Sequence, residues 1–367
     1  MTQRSFNFSA GPATLPLPVL EEAQRTLISL PGVGAGPLEV SHRGPWFRDV
    51  IEEAEANLRL LLAIPATHRV LFCQGGATQQ FSMVAMNFLR GTGRPAEYVL
   101  TGAWGNKALA EAQKEGTARA AWTGAGDGFV TVPTPDELAG SLAPDAAYAH
   151  VTTNETIHGV EFGEDPDPPA DVPLVADMSS DFCSRPVDVP RYGAIYAGAQ
   201  KNVGPAGVTV VIVREDMLAR IPDGLPTMLD YRTFADHGSL YNTPPVFAIY
   251  VLMLVTRWLR DDVGGLEAQR EDNRAKAGLV YDAIDASGGF YRGHARPEAR
   301  SSMNLTWRLP SEELDHAFVA EAADAGMAEL KGHRSVGGIR ASLYNAMPLE
   351  GARTLAEFMR GFAARHA

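Results

Sequence analysis

The chain has 367 residues, more than a single hydrophobic core usually serves, so two domains are expected. Its 45% hydrophobic and 21% charged content excludes a disordered protein, and a formal charge of −12 argues against a general nucleic-acid-binding surface. Any anion site must therefore be assembled locally. Two cysteines, Cys73 and Cys183, form neither a disulfide framework nor a zinc-type pair, which points to a reducing compartment. The opening residues lack the apolar stretch of a signal peptide, and the greasiest run, 246–255, is too short to span a bilayer. A cytoplasmic location with no membrane partner is expected.

Along the chain, the first fifteen residues have no helical pattern and are expected to form an arm. Apolar runs of strand length then recur at 69–73, 97–100, 146–151, 174–176, 194–197 and 208–213. Helical patterns follow the first two, at 78–89 and 105–114. This alternation predicts an α/β fold with a mostly parallel central sheet, and no period of repeat-protein length interrupts it. The acidic, proline-rich segment 163–173 reads as a surface loop inside the domain, and 246–255 reads as a buried helix. A boundary falls at Asp261-Asp262-Val263-Gly264-Gly265. Beyond it, a helical pattern over 266–286 and a strand-like run at 303–308 indicate a smaller α+β domain. The expected division is an arm over 1–15, a large domain over 16–262 and a small C-terminal domain over 263–367.

Ligand sites in such sheets lie beyond the carboxyl ends of the strands. Lys201 falls there, in Ala197-Gly198-Ala199-Gln200-Lys201-Asn202, among small residues that leave room for a ring. Asp177 ends the strand-like run that begins at Pro173. A lysine in such a pocket can form a Schiff base, and an acid at a strand end can hold a protonated pyridine nitrogen. The pair suggests an enzyme carrying pyridoxal phosphate (PLP), whose ring is an electron sink. Each residue alone also fits a turn lysine or a capping aspartate.

Gln74-Gly75-Gly76-Ala77-Thr78 follows a strand and opens a helix, where backbone N–H groups can meet a phosphate; it equally fits a plain connection. Trp104, among glycines just past a strand, suits stacking on a planar ring, or a place in the core. Thr156 lies in the polar cluster Asn154-Glu155-Thr156. Two basic clusters, around Arg43 and across Lys331–Arg340 with His333 and Arg334, suit a substrate with two anionic ends, or solvated surface. None of the nine histidines falls in a zinc-binding pattern, so no catalytic metal is expected.

At these residues the chain resembles the phosphoserine aminotransferases, PLP enzymes of the aspartate-aminotransferase-like fold. The resemblance runs nearly end to end. It is carried by Phe6-Asn7-Phe8-Ser9-Ala10-Gly11-Pro12, Val40-Ser41-His42-Arg43-Gly44, Asn154-Glu155-Thr156 and Tyr196–Asn202. Tyr241-Asn242-Thr243-Pro244-Pro245, Lys331-Gly332-His333-Arg334 and Arg340–Pro348 complete it. It implies that Lys201 binds the cofactor and shuttles the α-proton, and that Asp177 pairs with the ring nitrogen. Trp104 would stack on the ring and Thr156 touch its oxygen. Ala77, Thr78 and Gln200 would hold the phosphate, joined by Asn242 and Thr243 of a second subunit, so that a homodimer shares its sites. Ser9, Arg43, His333, Arg334 and Arg340 would bind the carboxylate and phosphate of glutamate and 3-phosphohydroxypyruvate. Some relatives carry Gly-Arg where this chain has Ala77-Thr78, which alters the charge of the phosphate cup. The rivals are another aminotransferase of this fold, such as an alanine–glyoxylate enzyme, a cysteine desulfurase, or a catalytically silent dimer that binds anionic metabolites.

Overall fold

The structure is a computed structural model that describes residues 4–169 and 171–366. The first three residues of the expected arm, one residue of the 163–173 loop and the final residue of the C-terminal domain lie outside it.

The described part of the arm is anchored at the far end of the chain. Strand β1 (Phe6–Asn7) pairs in parallel with β13 (Met327–Ala328), and Phe8 is fully buried beside them. Helices α1 (Leu17–Thr26) and α2 (Pro45–Leu61) then lead into the central sheet. The sheet takes β2 (His68–Cys73), β3 (Ala96–Leu100), β4 (Ala118–Thr123) and β5 (Tyr148–Thr152), then β8 (Leu174–Asp177), β9 (Tyr192–Gly198) and β10 (Thr209–Arg214). Its order is β2-β10-β9-β8-β5-β3-β4. The intervening β6 (Asn154–Glu155) and β7 (Val160–Glu161) form a separate hairpin.

Strand β10 runs antiparallel to β2 and β9, and the other four pairings are parallel. Strands β5, β8 and β9 are buried along their whole length, as near-continuous apolar runs covered on both faces should be. Successive residues serve opposite faces: Val210 and Ile212 join one core, Val211 and Val213 the other. The first core holds α2 and α8 (Val246–Asp261). The second holds α3 (Gly76–Phe88) and α4 (Ala103–Ala112). Helix α8 is buried from Ala248 to Thr256, which explains its greasy sequence.

Strand β4 has no counterpart among the expected strands. It is the sheet's edge, partly exposed, and its run of Ala and Arg gives neither strong alternation nor β-branched enrichment. Three short helices fill connections: α5 (Pro135–Ser141), started by a Thr134–Glu137 capping box, α6 (Glu215–Leu218) and α7 (Tyr231–Asp236).

The C-terminal part is smaller and α+β. Antiparallel strands β11 (Arg292–Gly293), β12 (Asn304–Arg308) and β14 (Ile339–Ser342) pack under α9 (Leu266–Asp285), α10 (Glu312–Asp324) and α11 (Leu349–His366). Trp307, Phe318 and Phe362 fill that core. Buried Lys276 of α9 donates to the carbonyls of Tyr344, Asn345 and Met347 at 3.3, 3.2 and 3.1 Å, pinning the turn after β14. Among the described residues, no helix is long and apolar enough to cross a membrane.

Candidate active site

Strands β2, β3, β5, β8 and β9 point their carboxyl ends at one edge of the sheet, and a cavity of about 380 Å³ opens there. That volume lies within the range of small-ligand pockets. Lys201 and Asp177 both line it. A larger hollow, of about 630 Å³, lies between the arm, α9 and the Met347–Leu349 segment, but is lined by none of the candidate catalytic, cofactor-binding or substrate-binding residues. Chemistry, not size, identifies the site.

Lys201 sits in the turn after β9. The next residue, Asn202, anchors that turn: its side chain donates to Ser180 O at 3.1 Å and accepts from Asn345 N at 3.0 Å. The Lys201 amine donates to Thr156 Oγ1 at 2.6 Å and lies 5.8 Å from the centre of the Trp104 ring. Its side chain is half-buried because it opens onto the cavity, yet the surrounding protein removes enough water to lower the amine to about 8. Asp177 and Glu155 pull the other way, and Arg340 adds to the lowering. Asp177 is 4% exposed, and its Oδ1 accepts from Ser179 N at 2.9 Å. Burial raises its pKa against that bond and the nearby Lys201. A cation beside it would restore the charged form.

At another wall, α3 begins at Gly76 after Gly75 in the left-handed region (φ +85°), with no side-chain cap. Its first N–H groups have no partner within the helix, and Ala77 and exposed Thr78 of that turn line the cavity with Gln200. On the substrate side stand His333 and Arg340. Arg340 Nη1 donates to Thr156 O at 3.4 Å. Burial lowers the His333 pKa, and the nearby cations Arg340, Arg334 and Lys107 lower it further, which favours a neutral imidazole beside the Arg340 guanidinium.

Nine of the sequence-selected residues thus meet in one cavity. Ser9, Arg43, Arg334, Asn242 and Thr243 do not line it. Arg43, Arg334 and Thr243 are exposed, while Ser9 and Asn242 are half-buried. Sequence reasoning also left Glu155 without a role. Its carboxyl is fully buried and accepts from Trp104 N at 3.1 Å and Gly105 N at 2.9 Å. Burial pushes it up to about 7 against those two bonds. The sequence signal was only an acid inside a polar cluster just past a strand; its backbone partners at the start of α4 are marked by no motif.

The residues present fit PLP. Three buried polar atoms on the cavity residues, Thr152 Oγ1, Asn154 Oδ1 and Trp104 Nε1, have no partner among the described residues. The donor set supplies an amine of lowered pKa, a buried carboxylate and an uncapped helix start. The fold and the cavity together define a PLP-dependent aminotransferase. The profile of the family described as Aminotransferase class-V matches residues 5–355.

Two solved structures and one curated sequence narrow the class. The phosphoserine aminotransferase of Laribacter hongkongensis is 55% identical over 361 residues, covering 98% of this chain and 99% of its own. The solved structure of the phosphoserine aminotransferase from Bacillus circulans subsp. alkalophilus superposes with a TM-score of 0.96 at 50% identity, covering 99% of each chain. A PLP-bound phosphoserine aminotransferase from Trichomonas vaginalis gives 0.91 at 40% identity, covering 97% of this chain and 100% of that one. The chain belongs to the phosphoserine aminotransferase family, and its cofactor is PLP.

Proposed function

We propose that the chain transfers an amino group reversibly between L-glutamate and 3-phosphohydroxypyruvate, giving 2-oxoglutarate and O-phospho-L-serine, in L-serine biosynthesis. One observation carries the reading: the Lys201 amine, lowered to about 8, shares a cavity with buried Asp177 and a wall of anion-binding donors from His333 and Arg340. When bound, PLP supplies an aldehyde that condenses with amines and a ring that accepts electrons.

The chain's own residues divide the remaining work. Lys201, neutral in a useful fraction near pH 8, would be the base that takes the proton from the substrate α-carbon and the acid that returns it. Asp177 would keep the ring nitrogen protonated. Trp104 would stack on the ring, and Thr156, which accepts from the Lys201 amine, would also meet the ring oxygen. The N–H groups of Ala77 and Thr78, with the Gln200 side chain, would hold the cofactor phosphate. His333 and Arg340, which line the cavity, would bind the substrate carboxylate and, at the distal end, glutamate's carboxylate or the keto acid's phosphate in turn; the same role is proposed for Ser9, Arg43 and Arg334, which do not line it.

The reading includes a homodimer. Asn242 and Thr243 lie outside the cavity of their own chain and would serve the site of a second copy. Ile28 and Leu38, on the segment leading to Arg43, are 86% and 66% exposed, which suits burial against such a copy. The division into 1–15, 16–262 and 263–367 is proposed with it, supported by separate cores about the large sheet and about β12. A cytoplasmic location is proposed on the two unpaired, buried cysteines. The same anion-binding wall would admit 4-phosphohydroxythreonine, a substrate of pyridoxine biosynthesis.

The test is a substrate comparison. With L-glutamate as donor, turnover of 3-phosphohydroxypyruvate should exceed that of hydroxypyruvate and of glyoxylate. Preference for glyoxylate would overturn the assignment in favour of an alanine–glyoxylate type of activity.

A further inference from the structure

Helix α4 starts without a cap of its own. Its N-cap residue, Gly102, offers no side chain. The donors of the first turn are met from outside the helix, by Glu155 of the β6–β7 hairpin. Its Oε2 accepts from Trp104 N at 3.1 Å and its Oε1 from Gly105 N at 2.9 Å. A Cβ at position 102 would lie 2.4 Å from the Glu155 carboxyl carbon, so only glycine allows this approach. A carboxylate at a helix start gains from the helix dipole, and removing it strands buried donors.

The hairpin that carries Glu155 also builds the cavity wall. Asn154 donates to Ser180 Oγ at 2.8 Å on one side, and Thr156 accepts from Lys201 Nζ at 2.6 Å on the other. Glu155 itself does not line the cavity, whereas its hydrogen-bond partner Trp104 does. We propose that Glu155 is a positioning residue: by capping α4 from the hairpin, its carboxylate sets the Trp104 ring at the distance the cofactor ring requires. The inference rests on the stacking role proposed for Trp104. Burial drives the Glu155 carboxyl up to about 7, and the two backbone N–H bonds oppose that rise by favouring the carboxylate.

The test is a double-mutant cycle on the full chain stripped of cofactor and retitrated with pyridoxal 5′-phosphate by equilibrium dialysis. Four proteins are compared: unsubstituted, Glu155→Gln, Trp104→Ala and the double variant. Glu155→Gln should raise the Kd roughly tenfold when Trp104 is present, because one backbone donor then faces an amide instead of an oxygen. With Trp104→Ala already in place, it should add less than about twofold. The circular dichroism of the bound cofactor should change in Glu155→Gln, reporting a shifted ring environment. Gly102→Ala displaces the same carboxylate with its charge intact; it replaces Glu155→Gln in the cycle if that variant does not fold, and the same non-additivity is expected. Equal losses in both backgrounds, or no loss in either, would overturn the proposal. If Trp104→Ala alone leaves the Kd unchanged, the stacking role fails and the inference falls with it. If Trp104→Ala weakens binding and Glu155→Gln adds its full loss on top, only the Glu155 inference fails.

Discussion

The Lys201 amine donates to Thr156 Oγ1 across 2.6 Å, joining the turn after β9 to the hairpin after β5. That bond fixes where the amine points in a cavity that already lowers its pKa. The first prediction concerns the pH at which this nitrogen becomes a nucleophile. In the cofactor-free chain, labelling of Lys201 by an amine-selective reagent should be half-maximal near pH 8. Below that pH the ammonium form dominates, and the rate should fall about tenfold per unit; an ordinary lysine reaches its midpoint near ~10.4. Peptide mapping after a timed pulse across pH 6–11 reads this directly. A Lys201 midpoint matching the exposed lysines would contradict the electrostatic account.

Arg340 should matter as a fork and not only as a charge. Arg340→Lys keeps the cation but loses paired donation to a carboxylate or phosphate. KM for glutamate and for 3-phosphohydroxypyruvate should each rise by roughly tenfold or more, with a smaller change in kcat. Steady-state kinetics on both substrates checks this. An unchanged KM for both would remove Arg340 from the binding wall.

Shared sites can be tested by mixing. A chain carrying Lys201→Ala and a chain carrying Asn242→Ala with Thr243→Ala should each be nearly inactive as homodimers. If the cofactor phosphate is held across the interface, hybrids pair one intact site with one doubly damaged site. Random mixing then restores about a quarter of full activity, since about half of the dimers are hybrid. No recovery after verified subunit exchange would mean that each chain completes its own site.

Cys73 and Cys183 bear on the desulfurase rival, which needs a mobile, reactive cysteine. Both are fully buried, and burial raises both thiol pKa values. An alkylating reagent should therefore leave the native protein unmodified and its aminotransferase activity intact. Mass spectrometry showing rapid alkylation of either thiol in the folded protein would reopen that rival.

Much of the site was legible because its parts fall where strands end. Lys201, Asp177, Trp104 and Thr156 each follow an apolar run by a few residues, and parallel strands deliver all such positions to one edge. Strand β4 escaped because an edge strand buries little and need not alternate. The anchoring of the arm through β1 and β13 escaped because a two-residue pairing across the whole chain leaves no periodic trace. Glu155 escaped for a different reason. Its partners are backbone N–H groups about fifty positions earlier, and the glycine that admits it says nothing in sequence about which acid will arrive.

The account depends on one nitrogen. Reduction of the cofactor-loaded protein with borohydride, followed by proteolysis and mass spectrometry, asks where PLP is attached. The account predicts a single pyridoxyl adduct, on the peptide that contains Lys201. An adduct on a different lysine, or none on Lys201 in fully loaded protein, would contradict it.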